Sequence, residues 1–132
     1  MKKSLVIIIT LFFASLSIKA QEKPVISPQD SIIFQTTVHD YGSIVQSSDG
    51  SCEFNFTNKG KAPIILNDVK TSCGCTTPEW TRTPVAPGEK GIIKVTYNTN
   101  NVGAFAKSIT VSSNAKNSPV VLTIKGNVTP KK

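Results

Sequence analysis

Three cysteines carry the unusual chemistry of this 132-residue chain, at positions 52, 73 and 75. Cys73 and Cys75 flank a single glycine. In an extended strand, residues two apart place their Cα atoms ~6.6 Å from each other, within reach of a disulfide. Closing so small a ring demands a sharp fold of the backbone, which Gly74 permits, and a bond under that strain is easily reduced. As thiolates the same pair are soft ligands suited to Cu(I) or Zn(II). Two ligands fall short of a structural zinc site, and His39 is the only histidine available to join them. Cys73, Cys75 and His39 are therefore weak metal candidates, and neither a metal nor any other cofactor is assigned.

Cys52 shares a face with Phe54 and Phe56, as a small apolar residue of the core does. It has a second reading. If the second and third strands pair antiparallel through the turn at 58–63, Cys52 reaches Cys73 or Cys75, and one of the three cysteines stays unpaired whichever pair forms. His39 alternates with Gln35 and Thr37 on a polar face, beside a turn in which Asp40 can bond backbone amides, so a structural role outweighs catalysis. Catalysis by a Cys–His pair would need His39 beside a thiolate and an orienting group such as Asp40. No residue set assembles a catalytic machine, no catalytic residue is assigned, and the chain reads as a non-enzyme with thiol redox chemistry left open. Trp80, following Pro78, is a candidate partner-binding anchor; capping the end of the fold is the favoured reading.

The segment before these residues sets their compartment. Lys2 and Lys3 precede an apolar stretch from Leu5 to Phe13 that relaxes to Ala20. That is the pattern of a cleaved signal peptide at 1–20, with Ala20 as the expected site. A membrane span needs ~20 apolar residues, more than this run offers. No cysteine follows it before Cys52, so neither a transmembrane nor a lipid anchor is expected, and the product should be periplasmic or secreted. Lys2, Lys3 and Lys19 go with the segment, leaving twelve basic and eight acidic residues, a net charge of +4 rather than +7. The remaining lysines are dispersed without interleaved aromatics, which argues against nucleic acid as a partner.

Residues 21–30, with Pro24 and Pro28, read as a linker, and 31–130 as one domain. Ile32 to His39 alternates as a half-buried strand, followed by a turn at Asp40–Gly42. Cys52, Phe54 and Phe56 mark a second strand, closed by a turn at Asn58–Gly60. A third starts at Ile64, and its change of phase predicts a bulge near Asn67 and Asp68. The stretch from Cys73 to Pro87 is the least regular and should cross between sheets with at most a short strand. Pro87–Gly88 suits a type II turn, and three strands follow, around Ile93–Tyr97, Phe105–Val111 and Val120–Val128. No segment has a helical period. About seven strands in 100 residues predict an all-β chain folded as an antiparallel, immunoglobulin-like β-sandwich with Greek-key connections.

The run His39-Asp40-Tyr41-Gly42, then Phe54, Phe56, Asn58, Gly60 and Pro63, then Ser72-Cys73-Gly74-Cys75-Thr76, Pro87-Gly88-Glu89 and Gly126 resembles a bacterial secreted family, domain of unknown function 1573. The resemblance spans about Phe34 to Val128, and Cys-Gly-Cys-Thr is its most specific part. It implies a Hydin-like, immunoglobulin-like sandwich, distantly similar to pilus-chaperone and major-sperm-protein folds, and no established activity. Tyr41 stands where the family pattern has phenylalanine, and Cys52 lies outside the motif. The expectation is a non-enzymatic binding or structural module of the cell envelope, which as a binding module would dock an unknown protein or envelope component through a sheet edge or the loops from Cys73 to Trp80. For the cysteines a structural disulfide or buried thiols is the favoured reading, and thiol–disulfide or copper handling at Cys73 and Cys75 competes with it.

Overall fold

Period-two alternation builds eight strands in the computed structural model, which describes residues 31–132. The expected signal peptide and linker lie outside the described residues. The strands are β1 (Ile32–Phe34), β2 (Val38–Val45), β3 (Ser51–Asn58), β4 (Leu66–Thr71), β5 (Thr76–Trp80), β6 (Lys90–Tyr97), β7 (Gly103–Ser113) and β8 (Val120–Thr129). They form two four-stranded sheets, ordered β1-β3-β6-β5 and β2-β8-β7-β4. The expected all-β sandwich is thus what forms, with eight strands instead of seven and one parallel pair, β2 with β8.

The extra strand comes from splitting the first. Ile32–Phe34 and Val38–His39 are both extended, but the chain bends at Gln35 and Thr37 between them and changes sheets there. The Gln35 amide still donates to Asn55 in the first sheet, at 2.9 Å, and the Thr37 carbonyl already accepts from Thr123 in the second, at 2.8 Å. Ile32 is buried whereas Val38, expected on the same face, is exposed. The expected turn at Asp40–Gly42 is instead a bulge within β2. Gly42 adopts φ +62°, and its amide donates to Asp40 Oδ1 at 2.8 Å. An aspartate bonding two residues ahead serves a turn or a bulge equally well.

The bulge expected near Asn67 and Asp68 is present between Leu66 and Asp68. At Ala86–Glu89 the Glu89 amide donates to Ala86 at 2.9 Å and Gly88 has φ +79°, as a type II turn requires. Inward residues of both sheets interdigitate to form the core. Phe54, Ile93, Val95, Ile109, Leu122 and Ile124 are fully buried there. Asn58 is buried with them and ties down the loop after β3: its Nδ2 donates to the carbonyls of Ala62 and Val85, each at 2.8 Å, and its Oδ1 accepts from the Gly60 amide at 2.8 Å.

Candidate functional site

Residues 72–75 form the corner where the chain leaves β4 in one sheet and enters β5 in the other. The last bond to the first of these sheets is Ser72 N–H to Ser108 O, 3.0 Å, and the first to the other is Asn98 N–H to Cys75 O, 2.8 Å. Between them Cys73 and Cys75 are disulfide-bonded, with Cα atoms 5.3 Å apart. The Thr71 hydroxyl lies 2.8 Å from the Cys73 carbonyl and 3.2 Å from that of Thr76, fastening the corner from below. The Cys75 amide donates to Cys73 Sγ at 3.3 Å, and the Thr76 hydroxyl sits 3.7 Å from Cys73 Sγ and 3.9 Å from Cys75 Sγ. Gly74 is exposed, has no positive φ, and a Cβ on it would meet nothing within 4 Å. The corner therefore folds without needing the conformational freedom expected of glycine, and the space beside Gly74 is open.

Cys52 does not join this pair. It is a free, buried thiol on β3, opposite Val95. The pairing considered from sequence required β3 and β4 to be neighbours, and they lie in different sheets. Burial pushes the Cys52 thiol up, against the pull of the neighbouring Tyr41 hydroxyl. Burial also lifts that hydroxyl far above the usual tyrosine range, while it donates to the Gly50 carbonyl at 2.6 Å.

His39 meets the Tyr41 ring edge-on, with centroids 4.5 Å apart. Its strand, β2, is at one edge of its sheet and β4 is at the other. Three strand spacings of ~4.8 Å put His39 on the order of 14 Å from the corner. The structure thus does not bring His39 to Cys73 and Cys75, for acid–base chemistry or for shared metal ligation. Among the described residues, no group of three His, Cys, Asp or Glu side chains is placed to hold a metal ion.

Trp80 ends β5, half-buried against the core, with the Arg82 guanidinium 3.6 Å above its ring and its indole N–H buried without a partner. Pro78 lies on the same strand, opposite Val95. The ladder bonds at Cys75 and Thr81 fix the alternation, so that Pro78 turns its main-chain groups to the free edge. That is the one orientation in which a residue without N–H costs the sheet no bond.

Beside the disulfide lies an open groove of about 530 Å³. The β2–β3 turn, the β6–β7 turn and residues Gly74 and Cys75 wall it. Its surface is mainly amide and hydroxyl, and Asp49 is its one charged lining residue. The Ser51 hydroxyl and amide bonded to that carboxylate hold it below the usual range. Asn98 and Asn100, also in the lining, are residues that sequence reasoning missed as site residues. The Asn98-Thr99-Asn100-Asn101 run signals a turn, and only the sheet topology places that turn next to the cysteines.

The family model described as protein of unknown function (DUF1573) matches residues 32–128. No curated protein sequence matches the chain. Among solved structures, a protein of unknown function from Porphyromonas gingivalis W83 is 18% identical with a TM-score of 0.66, covering 76% of this chain and 48% of its own. A PapD-like domain of human CEP192 is 6% identical with a TM-score of 0.66, covering 80% and 89% respectively. The CupB2 chaperone of Pseudomonas aeruginosa is 10% identical with a TM-score of 0.55, covering 73% and 55%. The chain thus spans about half the length of the P. gingivalis protein, and these likenesses are of fold.

Proposed function

The chain belongs to the DUF1573 family of proteins of unknown function, and from that premise we propose that it is a non-enzymatic binding module of the bacterial envelope that docks a protein or envelope component at the disulfide end of its sandwich. The observation that carries this reading is the open polar groove beside the Cys73–Cys75 corner. The sheet edges support it by offering little competition, since a partner that adds a strand needs a row of free N–H and C=O groups.

The Asn117 side chain takes both outward groups of Ile32 on β1, at 3.1 and 2.8 Å. Pro78 interrupts β5, and β4 is bulged. On β2 the Thr36 hydroxyl engages Val38, Asp40 engages Gly42, and Ser48 engages Val45. Edges blunted in this way resist pairing with another chain. In the groove Asn98 Oδ1 accepts from the Asn100 amide and Asn100 Oδ1 from the Ser47 hydroxyl, which leaves the two Nδ2 groups and the hydroxyls of Thr77 and Thr96 able to bond a partner.

A photo-crosslinking residue placed at Asn98, on intact producing cells, should yield adducts of discrete mass, while the same residue at Ile33 on the far edge should not. Equal labelling from both positions, or none from Asn98, would remove the reading.

A second reading, thiol–disulfide exchange, is favoured by the state of the corner itself. The bond between Cys73 and Cys75 is formed and half-exposed, and the space beside Gly74 is open. In the bonded state neither cysteine offers a thiolate to copper, so within this alternative exchange stands ahead of copper handling.

A further inference from the structure

We infer that the Cys73–Cys75 bond is asymmetric toward an incoming thiolate: Cys75 is the sulfur attacked, from the groove, and Cys73 is the sulfur released. This inference rests on the exchange reading above and adds to it the direction of the reaction and the kind of thiol that enters.

Two independent observations carry it. The groove is lined by Gly74 and Cys75 and not by Cys73, so a thiol that occupies it arrives beside Cys75. The hydrogen bonding points the same way: the Cys75 main-chain amide donates to Cys73 Sγ, at 3.3 Å. An N–H already aimed at one sulfur favours negative charge on it, because hydrogen bonds to a charged acceptor are about twice as strong as those to a neutral one. The better-stabilised thiolate leaves faster. The Thr76 hydroxyl is nearly equidistant from the two sulfurs. It can follow whichever becomes charged, so it assists the step without choosing its direction.

The step balances without a further reactant. A thiolate RS⁻ attacks Cys75 Sγ, the Cys75–Cys73 bond breaks, and its electron pair leaves on Cys73 Sγ. The products are a mixed disulfide between Cys75 and the incoming thiol and a Cys73 thiolate bonded to the Cys75 amide. The reverse step restores the starting bond and returns RS⁻. Asp49, the one charged residue in the groove wall, sets the preference among thiols: a cationic or neutral one enters more readily than an anionic one.

The test uses the oxidised protein with cysteamine as a cationic probe thiol and mercaptoethanesulfonate as an anionic one. The reaction is quenched after a few seconds by alkylation, and the adduct is mapped by peptide mass spectrometry. Cysteamine is expected on Cys75 with the alkylating group on Cys73, in at least tenfold excess over the opposite arrangement. The anionic thiol is expected to react more slowly at low salt, with the gap closing as salt is added. Thr76→Val should slow both reactions several-fold without redistributing the adduct. Cysteamine found mainly on Cys73, or equally on both, overturns the inference and leaves exchange at this bond standing. If neither thiol opens the bond within hours, the exchange reading itself falls and the inference with it. The single substitutions Cys73→Ser and Cys75→Ser, each of which leaves Cys52 buried in the core, give a second measure: the thiol of Cys73 in the latter should ionise at lower pH than that of Cys75 in the former.

Discussion

Replacing Asn58 by alanine should destabilise this protein more than any other single polar truncation outside the disulfide corner. The side chain is fully buried and makes three hydrogen bonds, two as donor to the carbonyls of Ala62 and Val85 and one as acceptor from Gly60. Val85 also accepts from the Ile64 amide at 2.9 Å, so its carbonyl keeps one partner when Asn58 is lost. The cost is therefore counted as three bonds at ~1 kcal/mol each, roughly 3 kcal/mol in all, without a full penalty for an orphaned group. For a domain of this size that corresponds to a fall in Tm of about 12 to 24 °C.

Urea denaturation followed by the fluorescence of the only tryptophan, Trp80, measures it directly. The midpoint should drop with the slope unchanged. A loss below about 1 kcal/mol would refute the reasoning, since even one net bond is worth that much. Asn58→Asp supplies a control with a sign. Its carboxylate can still accept from Gly60, but when ionised it opposes two carbonyls in a buried site, which raises its folded-state pKa above that of the unfolded chain. The stability of this variant should be highest at acid pH and fall as pH rises through the folded-state value.

Gly91→Ala should cost about 1 to 3 kcal/mol, because the added Cβ overlaps the Phe56 ring; Phe56→Leu in the same chain should recover part of that loss, and strict additivity of the two would count against the contact. Burial holds the Cys52 thiol above its ordinary 9.0 and the Tyr41 hydroxyl above its ordinary 10.0. Folded-state values raised in this way leave stability intact below pH about 9 and erode it as the unfolded chain begins to ionise, so the unfolding free energy should decline from pH 9 to 11 and decline less in a Cys52→Ala, Tyr41→Phe variant. In the native oxidised protein Cys52 should resist alkylation by a maleimide and react with one equivalent once unfolded, whereas a fast native reaction would contradict its burial.

Where one alternation runs within one sheet, its reading carried through. The residues Cys52, Phe54 and Phe56 of β3 and Ile93, Val95 and Tyr97 of β6 all face the core. The change of phase at Asn67 and the Pro87–Gly88 turn were equally legible, since each has a local cause. The switch of sheets at 35–37 was not: both halves are extended, and nothing local records which neighbour each will bond. The same gap explains the mistaken nearness of Cys52 to the other cysteines. Two strands joined by a short turn need not be partners, and β3 finds β6 while β4 finds β7. Of the candidate site, the cysteine pair was visible as a motif. The groove beside it was not, because it is assembled from turns some 25 residues to either side.

The parallel pairing of β2 with β8 has a mechanical consequence. Because the two strands run the same way, Val38 at the start of one and Thr129 at the end of the other lie at opposite ends of the pair. Tension applied through the two chain termini first meets β1, whose three residues can give way alone, and then pulls β2 and β8 past each other along their length. Their hydrogen bonds lie across that line of force and must yield together, instead of opening one after another as in a hairpin drawn apart at its ends. A domain held at both ends would thus withstand stretching better than its free energy of unfolding suggests.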